Sequence, residues 1–125
     1  MTRDRVLLVD DEEVIIEVCK QMLNCLGYRV LTANGGEEAL TLYEDNREDI
    51  DLVVLDMVMP EMGGGVTFDR LKENDPRIKV ILSSGYSLDG QAEEILERGC
   101  RAFIQKPFSM EELSNKLLTV LDDRQ

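Results

Sequence analysis

What most constrains this chain is a rhythm. Five short runs of branched and aromatic residues, at 6–9, 28–32, 52–55, 80–82 and 102–104, are separated by longer amphipathic stretches. The runs largely lack polar alternation, the pattern of strands covered on both faces, and the stretches between them carry helical periodicity. Alternation of this kind gives a (βα)5 chain, which right-handed crossovers fold into a parallel sheet with helices on both faces. A closed barrel takes eight such units, so the expected α/β architecture is an open, doubly wound sheet of five strands. Ligands of such sheets bind beyond the carboxyl ends of the strands, so the residues that follow each run are where chemistry should collect.

Local punctuation supports the same division. Asn34 with Glu37, and Ser109 with Glu112, have capping-box spacing at the starts of the second and fifth helical stretches. Gly27 and Gly99 follow helical stretches where a left-handed C-terminal cap is expected. In the last stretch Leu113, Leu117, Val120 and Leu121 make one apolar stripe. Cys19 falls with Ile15, Met22 and Leu26 at helical spacing and reads as a small buried hydrophobe; Cys25 and Cys100 add no paired spacing. The 125 residues, 43% of them apolar, suit a single domain over 1–125 with its own core and no repeat or linker.

Acidic residues outnumber basic ones 26 to 14, for a formal charge of −12. That field repels nucleic acid and anionic membrane surface, so neither is an expected direct partner, and it favours cations. No apolar run reaches membrane-spanning length, and the first residues, MTRDR, lack signal-peptide features; a cytoplasmic location is expected. Histidine is absent, which excludes imidazole acid–base chemistry and argues against a transition-metal site.

The groups that follow the runs are chemically capable. The first run leads into Asp10, Asp11, Glu12 and Glu13, the third into Asp56, the fourth into Ser83 and Ser84 before Gly85, and the fifth, through Gln105, into Lys106 and Pro107. Taken singly, each has an ordinary explanation as an acidic helix start, a loop cap or a turn residue. At one edge of one sheet they form a set. Three carboxylates crowded in a partly desolvated cleft repel one another and call for a cation. Asp10, Asp11 and Asp56 offer hard oxygens, few in number, which suits Mg²⁺ (with Mn²⁺ as a substitute) better than an all-protein Ca²⁺ cage. Lys106 adds a compact positive charge, and Ser84 a hydroxyl able to bond an oxyanion. The set suits phosphoryl transfer to a carboxylate, with Asp56 as nucleophile and the metal and Lys106 offsetting charge on the transferred group.

VLLVDDEE, VVLDMVMPEMGG, ILSSGY and FIQKPF, in this order and at these intervals, resemble the receiver domain of two-component response regulators over essentially the whole chain. The resemblance implies a flavodoxin-like fold with strand order 2-1-3-4-5. It implies that Asp56 is the phosphoacceptor, aided by Lys106 and Ser84, and that Asp10, Asp11, Asp56 and the backbone carbonyl of Val58 hold Mg²⁺. Ser84 is then the switch hydroxyl, Phe103 the switch aromatic, and Lys106–Pro107 a cis peptide bond. Phenylalanine has no hydroxyl, so the two states of Phe103 would differ in packing alone. The implied donor is a sensor histidine kinase or a histidine phosphotransfer protein. The implied output surface is the fourth helix, fifth strand and fifth helix, over 87–121, read by a downstream protein partner. On this reading the chain is a signalling switch rather than a conventional enzyme, a monomer or a phosphorylation-dependent dimer. SSGYS and QKPFS resemble receivers attached to hybrid sensor histidine kinases. Val58 and Tyr86 sit at positions that tune hydrolysis in the family and offer no carboxamide or carboxylate to orient water, so slow self-dephosphorylation is expected.

Other readings fit less well. A phosphatase of the haloacid dehalogenase type also uses Asp, Mg²⁺, Ser or Thr and Lys at strand ends, but places its nucleophile after the first strand in DxDxT/V, where this chain reads Asp10-Asp11-Glu12-Glu13-Val14. An FMN site wants a Ser/Thr/Gly-rich loop there, and carboxylates would repel its phosphate. A degenerate receiver that only docks partners would have no need of all five of Asp10, Asp11, Asp56, Ser84 and Lys106.

Overall fold

The strand and helix signals resolve, in a computed structural model describing residues 4–86 and 88–122, into strict alternation. The order is β1 (Arg5–Val9), α1 (Glu13–Cys25), β2 (Arg29–Ala33), α2 (Gly36–Asn46), β3 (Leu52–Asp56), α3 (Gly64–Asn74), β4 (Val80–Ser84), α4 (Gly90–Glu97), β5 (Ala102–Gln105) and α5 (Met110–Leu121). The strands form one parallel sheet in the order β2-β1-β3-β4-β5, the flavodoxin-like arrangement.

Alternation along the strands divides the core between two faces. Val6 and Leu8 of β1, with Leu52 and Val54 of β3, pack against Ile16, Cys19 and Leu23 of α1 and Leu113, Leu117 and Val120 of α5. Leu7 and Val9, with Val53 and Leu55, pack on the other side against Ala39 and Tyr43 of α2, Phe68 and Leu71 of α3, and Ile95 of α4. Cys19 is buried as expected, but its buried neighbours on α1 are Ile16 and Leu23, whereas Ile15, Met22 and Leu26 are partly covered.

Three expectations need correction. Burial on both faces holds for β1, β3 and β4, but β2 and β5 lie at the sheet edges and are only partly covered. The helix starting after Asn34 has no capping box with Glu37: its cap is Gly35, which offers no side chain, and Glu38 Oε1 instead accepts the Asn34 N–H at 2.7 Å. The fourth amphipathic stretch, between the runs at 80–82 and 102–104, yields a helix of only 8 residues, because α4 begins at Gly90 and ends at Glu97. The Ser109–Glu112 capping box is present, and Gly27 and Gly99 have φ of 97° and 115°. Among the described residues no helix is long and apolar enough to cross a membrane. Ser87, the first residue of the expected output surface, lies outside the described residues, as do Met1, Thr2 and Arg3 of the N-terminal segment.

Candidate functional site

Parallel strands end at a common edge, and the register does the rest. Val9 pairs with Leu55, Asp56 with Ser83, and Ser84 with Gln105, so the residues after β1, at the end of β3, and after β5 converge. Asp10 and Asp56 are buried, Asp11 is exposed, and one carboxylate oxygen of each lies within 4.8 Å of the others. Lys106 reaches between the two buried acids, its Nζ 2.9 Å from Asp10 Oδ2 and 3.1 Å from Asp56 Oδ1. Asp10 is further oriented by the Glu12 N–H, which donates to its Oδ1 at 3.0 Å.

The electrostatics follow from that packing. Burial pushes the Asp56 carboxyl up to about 6, reinforced by the neighbouring charge of Asp10 and opposed by Lys106. Burial alone would pull the Lys106 pKa down, but its bonds to Asp10 and the charges of Asp56 and Asp10 outweigh this and raise it. Three carboxylates facing one ammonium leave two negative charges in a largely buried site, the balance that a divalent cation would neutralise. Hard oxygens with one exposed member also fit Mg²⁺, which keeps several waters.

Ser84 is buried at the end of β4, where its Oγ accepts the Tyr86 N–H at 3.0 Å and its carbonyl accepts the Lys106 N–H at 2.7 Å. Val58 stands exposed at the mouth beside Asp56. Phe103 is half-buried on β5 and packs toward the face covered by α2, α3 and α4. The Lys106–Pro107 bond is cis.

Two further features border the acids. A trough of about 700 Å³ runs from the acids along α1 and is floored by Ile15, Val18, Met22 and Phe108. Ile15 and Met22 belong to the helical stripe legible in the sequence, but only the fold shows that its half-covered side borders the acids. Gly64 is the second: its N–H donates to the Met57 carbonyl at 2.8 Å, and a Cβ there would lie 2.6 Å from the Asp56 carbonyl oxygen. Glycine lets α3 begin directly against the backbone of Asp56.

Over residues 6–118 the chain matches the model of the response regulator receiver domain. The sensor kinase CckA of Brucella abortus is 37% identical over 117 residues, 94% of this chain and 12% of that protein. The response regulator SaeR of Staphylococcus aureus is 34% identical over 116 residues, 90% of this chain and 50% of that protein. The chain thus spans half or less of the length of these relatives. Among solved structures, CheY of Borrelia burgdorferi, in a complex with CheX, BeF3 and Mg²⁺, superposes with a TM-score of 0.91 at 29% identity, covering 96% of this chain and 90% of that one.

Proposed function

Because the chain belongs to the response regulator receiver family of two-component systems, we propose that it accepts a phosphoryl group on Asp56 and relays that event through its α4–β5–α5 surface. The observation that carries this reading is Lys106 Nζ standing 2.9 Å from Asp10 and 3.1 Å from Asp56, beside the exposed carboxylate of Asp11. One charged clamp thereby joins the loops after β1 and β5 to the end of β3.

The chemistry needs Asp56 as the anion. An Asp56 oxygen attacks the donor phosphorus, the bond from phosphorus to the leaving atom breaks, and the leaving group keeps the electron pair. That atom is the imidazole nitrogen of a phosphohistidine on a histidine kinase or phosphotransfer protein, or the acyl oxygen of acetyl phosphate. Asp10, Asp11, Asp56 and the Val58 carbonyl would hold Mg²⁺, which would supply positive charge against the transferring oxygens. Lys106 exchanges its bond to Asp56 for one to a phosphoryl oxygen. The Ser84 Oγ accepts the Tyr86 N–H, so its own proton is free to be donated to that group. The product favours whichever arrangement of Ser84, Phe103 and α4 bonds it best, a shift of population that a downstream protein partner reads, with or without pairing of receivers. Residues 1–125 act as one receiver unit in the cytoplasm, alone or within a hybrid kinase, and the acyl phosphate is lost slowly because Val58 and Tyr86 offer no carboxamide or carboxylate to orient water.

Intact mass after incubation with acetyl phosphate, with and without Mg²⁺ and beside Asp56→Asn, tests the reading. One Mg²⁺-dependent phosphoryl adduct, absent from the variant, is expected. A wild type that binds Mg²⁺ yet gains no adduct under fast sampling would reduce the chain to a docking module.

A further inference from the structure

Asn34 and Gly35 join β2 to α2 at the same edge as the acids and take no part in the chemistry above. The Asn34 backbone N–H is held by Glu38 Oε1 at 2.7 Å, but its carboxamide makes no bond among the described residues, and Asn34 is exposed. The Gly35 N–H likewise meets no acceptor among the described residues. Gly35 is extended, with φ −177° and ψ −179°, and a Cβ built on it meets nothing within 4 Å. An untethered carboxamide therefore stands beside a free amide nitrogen with no side chain to shield it.

The other four asparagines are placed differently. Asn24, Asn46, Asn74 and Asn115 lie in α1, α2, α3 and α5, and each precedes a residue with a side chain. The Asn46 Nδ2 donates to the Leu42 carbonyl at 2.9 Å, and the amide after Asn74 donates to the Leu71 carbonyl at 2.9 Å. Asp89 also precedes a glycine, but its carboxylate is fixed on the Ala92 N–H at 3.0 Å. Both flanks of the Asn34–Gly35 junction are held. Ala33 pairs with Val9, and its carbonyl accepts the Asp10 N–H at 3.1 Å. Gly36, the first residue of α2, is packed on Thr67 and Met62 so closely that a Cβ has no room.

We propose that Asn34 is a site of self-modification, which passes through a succinimide to aspartate and isoaspartate, and that the isoaspartyl form loosens the chain at Asp10. Asparagine is among the thermolabile residues, and the placement of Asn34 favours the intramolecular route. The Gly35 nitrogen attacks Asn34 Cγ, its proton passes to water, and the carboxamide nitrogen leaves with the electron pair as ammonia. Water then opens the five-membered ring. Cleavage of the new Cγ–N bond gives aspartate; cleavage of the original peptide bond gives isoaspartate, whose chain runs through Cβ and Cγ and is one atom longer. That atom has to be absorbed between Ala33 and Gly36. Gly36 cannot give way, so the Ala33–Asp10 hydrogen bond does. None of this depends on Asp56 accepting a phosphoryl group.

The whole chain is kept warm at mildly alkaline pH, digested and its peptides weighed, beside Gly35→Ala and Asn34→Gln. The wild-type peptide containing Asn34 should gain about 1 Da and split into two species, the change of an amide to an acid. One species should accept a labelled methyl group from an isoaspartyl methyltransferase. Both variants should lose most of the gain, and Gly35→Ala should do so with the fold intact, since its Cβ has open space. A wild type that keeps its mass while a short peptide of the same sequence gains it overturns the site. An equal gain in Gly35→Ala overturns the role of Gly35. The isoaspartyl fraction, separated by charge, is then compared with Asn34→Asp, which has the charge without the extra atom. Exchange of the Asp10 amide should be about two- to tenfold faster in the isoaspartyl fraction alone, the worth of one hydrogen bond. Equal rates in the two overturn the link to Asp10.

Discussion

At Asp56 burial and charge work against ionisation, moving the carboxyl from 3.8 to about 6. A carboxyl whose folded pKa is raised contributes stability below its unfolded pKa, and that contribution is lost as pH rises through the folded value. The difference amounts to roughly 3 kcal/mol as an upper figure, so the ionised side chain is a strain on the metal-free fold at neutral pH. Asp56→Asn should therefore be more stable than the wild type in EDTA at pH 7, by about 1–3 kcal/mol, with the gap closing toward pH 4. Urea midpoints at the two pH values measure it, and a gap that widens on acidification contradicts the assignment. A second residue carries backbone strain. Glu61, exposed in the β3–α3 loop, sits at φ 69°, a region that side chains disfavour and glycine does not. Glu61→Gly should raise stability by about 0.5–1 kcal/mol in the same measurement, and a loss would mean that the Glu61 side chain contributes more than the strain costs. The acid triad and the lysine were legible because they stand within two residues of the ends of apolar runs. The Glu61 conformation was not, since nothing in Met59-Pro60-Glu61-Met62 marks one residue for positive φ.

Helix starts show how local signals succeed and fail. At α5 the Ser109 Oγ accepts the Glu112 N–H at 3.0 Å and Glu112 returns a bond to the Ser109 N–H at 2.9 Å. At α2 the same spacing gave no box, because the chain turns helical one residue later and Gly35 takes the cap position. The two starts should respond oppositely. Ser109→Ala should cost about 1 kcal/mol. Gly35→Asp should add about 0.5 kcal/mol, since the backbone there is extended and a Cβ meets nothing within 4 Å. Thermal melts of the two variants check the pair, and equal effects would mean that neither cap matters to the folded state. At this scale the strands were readable from their apolar runs. The incomplete cover of β2 and β5 was not, because an edge is a property of strand order.

Across the whole molecule the charge of −12 works against compactness, and the worst of it is concentrated where three carboxylates meet. A cation that binds there should stabilise the folded chain by mass action, by about 2.7 kcal/mol at a hundredfold excess over its dissociation constant. At matched ionic strength Mg²⁺ should raise the melting temperature of the wild type, EDTA should reverse the rise, and Asp11→Asn should blunt it. An equal rise in wild type and variant would reveal general screening rather than a site.

By itself the sequence determined which segments are strands and helices and which groups stand at the strand ends. Hydrophobic period and the residue after each run are local properties, and right-handed crossovers leave such a pattern few topologies. Only the tertiary structure decided what those groups do to one another. Asp10 and Lys106 are 96 positions apart, and their 2.9 Å bond exists because β1 and β5 end at the same edge. The same holds for Asp69 and Arg98, 29 positions apart, whose 2.8 Å bond ties the C-terminal end of α4 to α3. Charge separation, burial and anchoring depend on distances across the sheet, and those distances come into being only when the strands have taken their order.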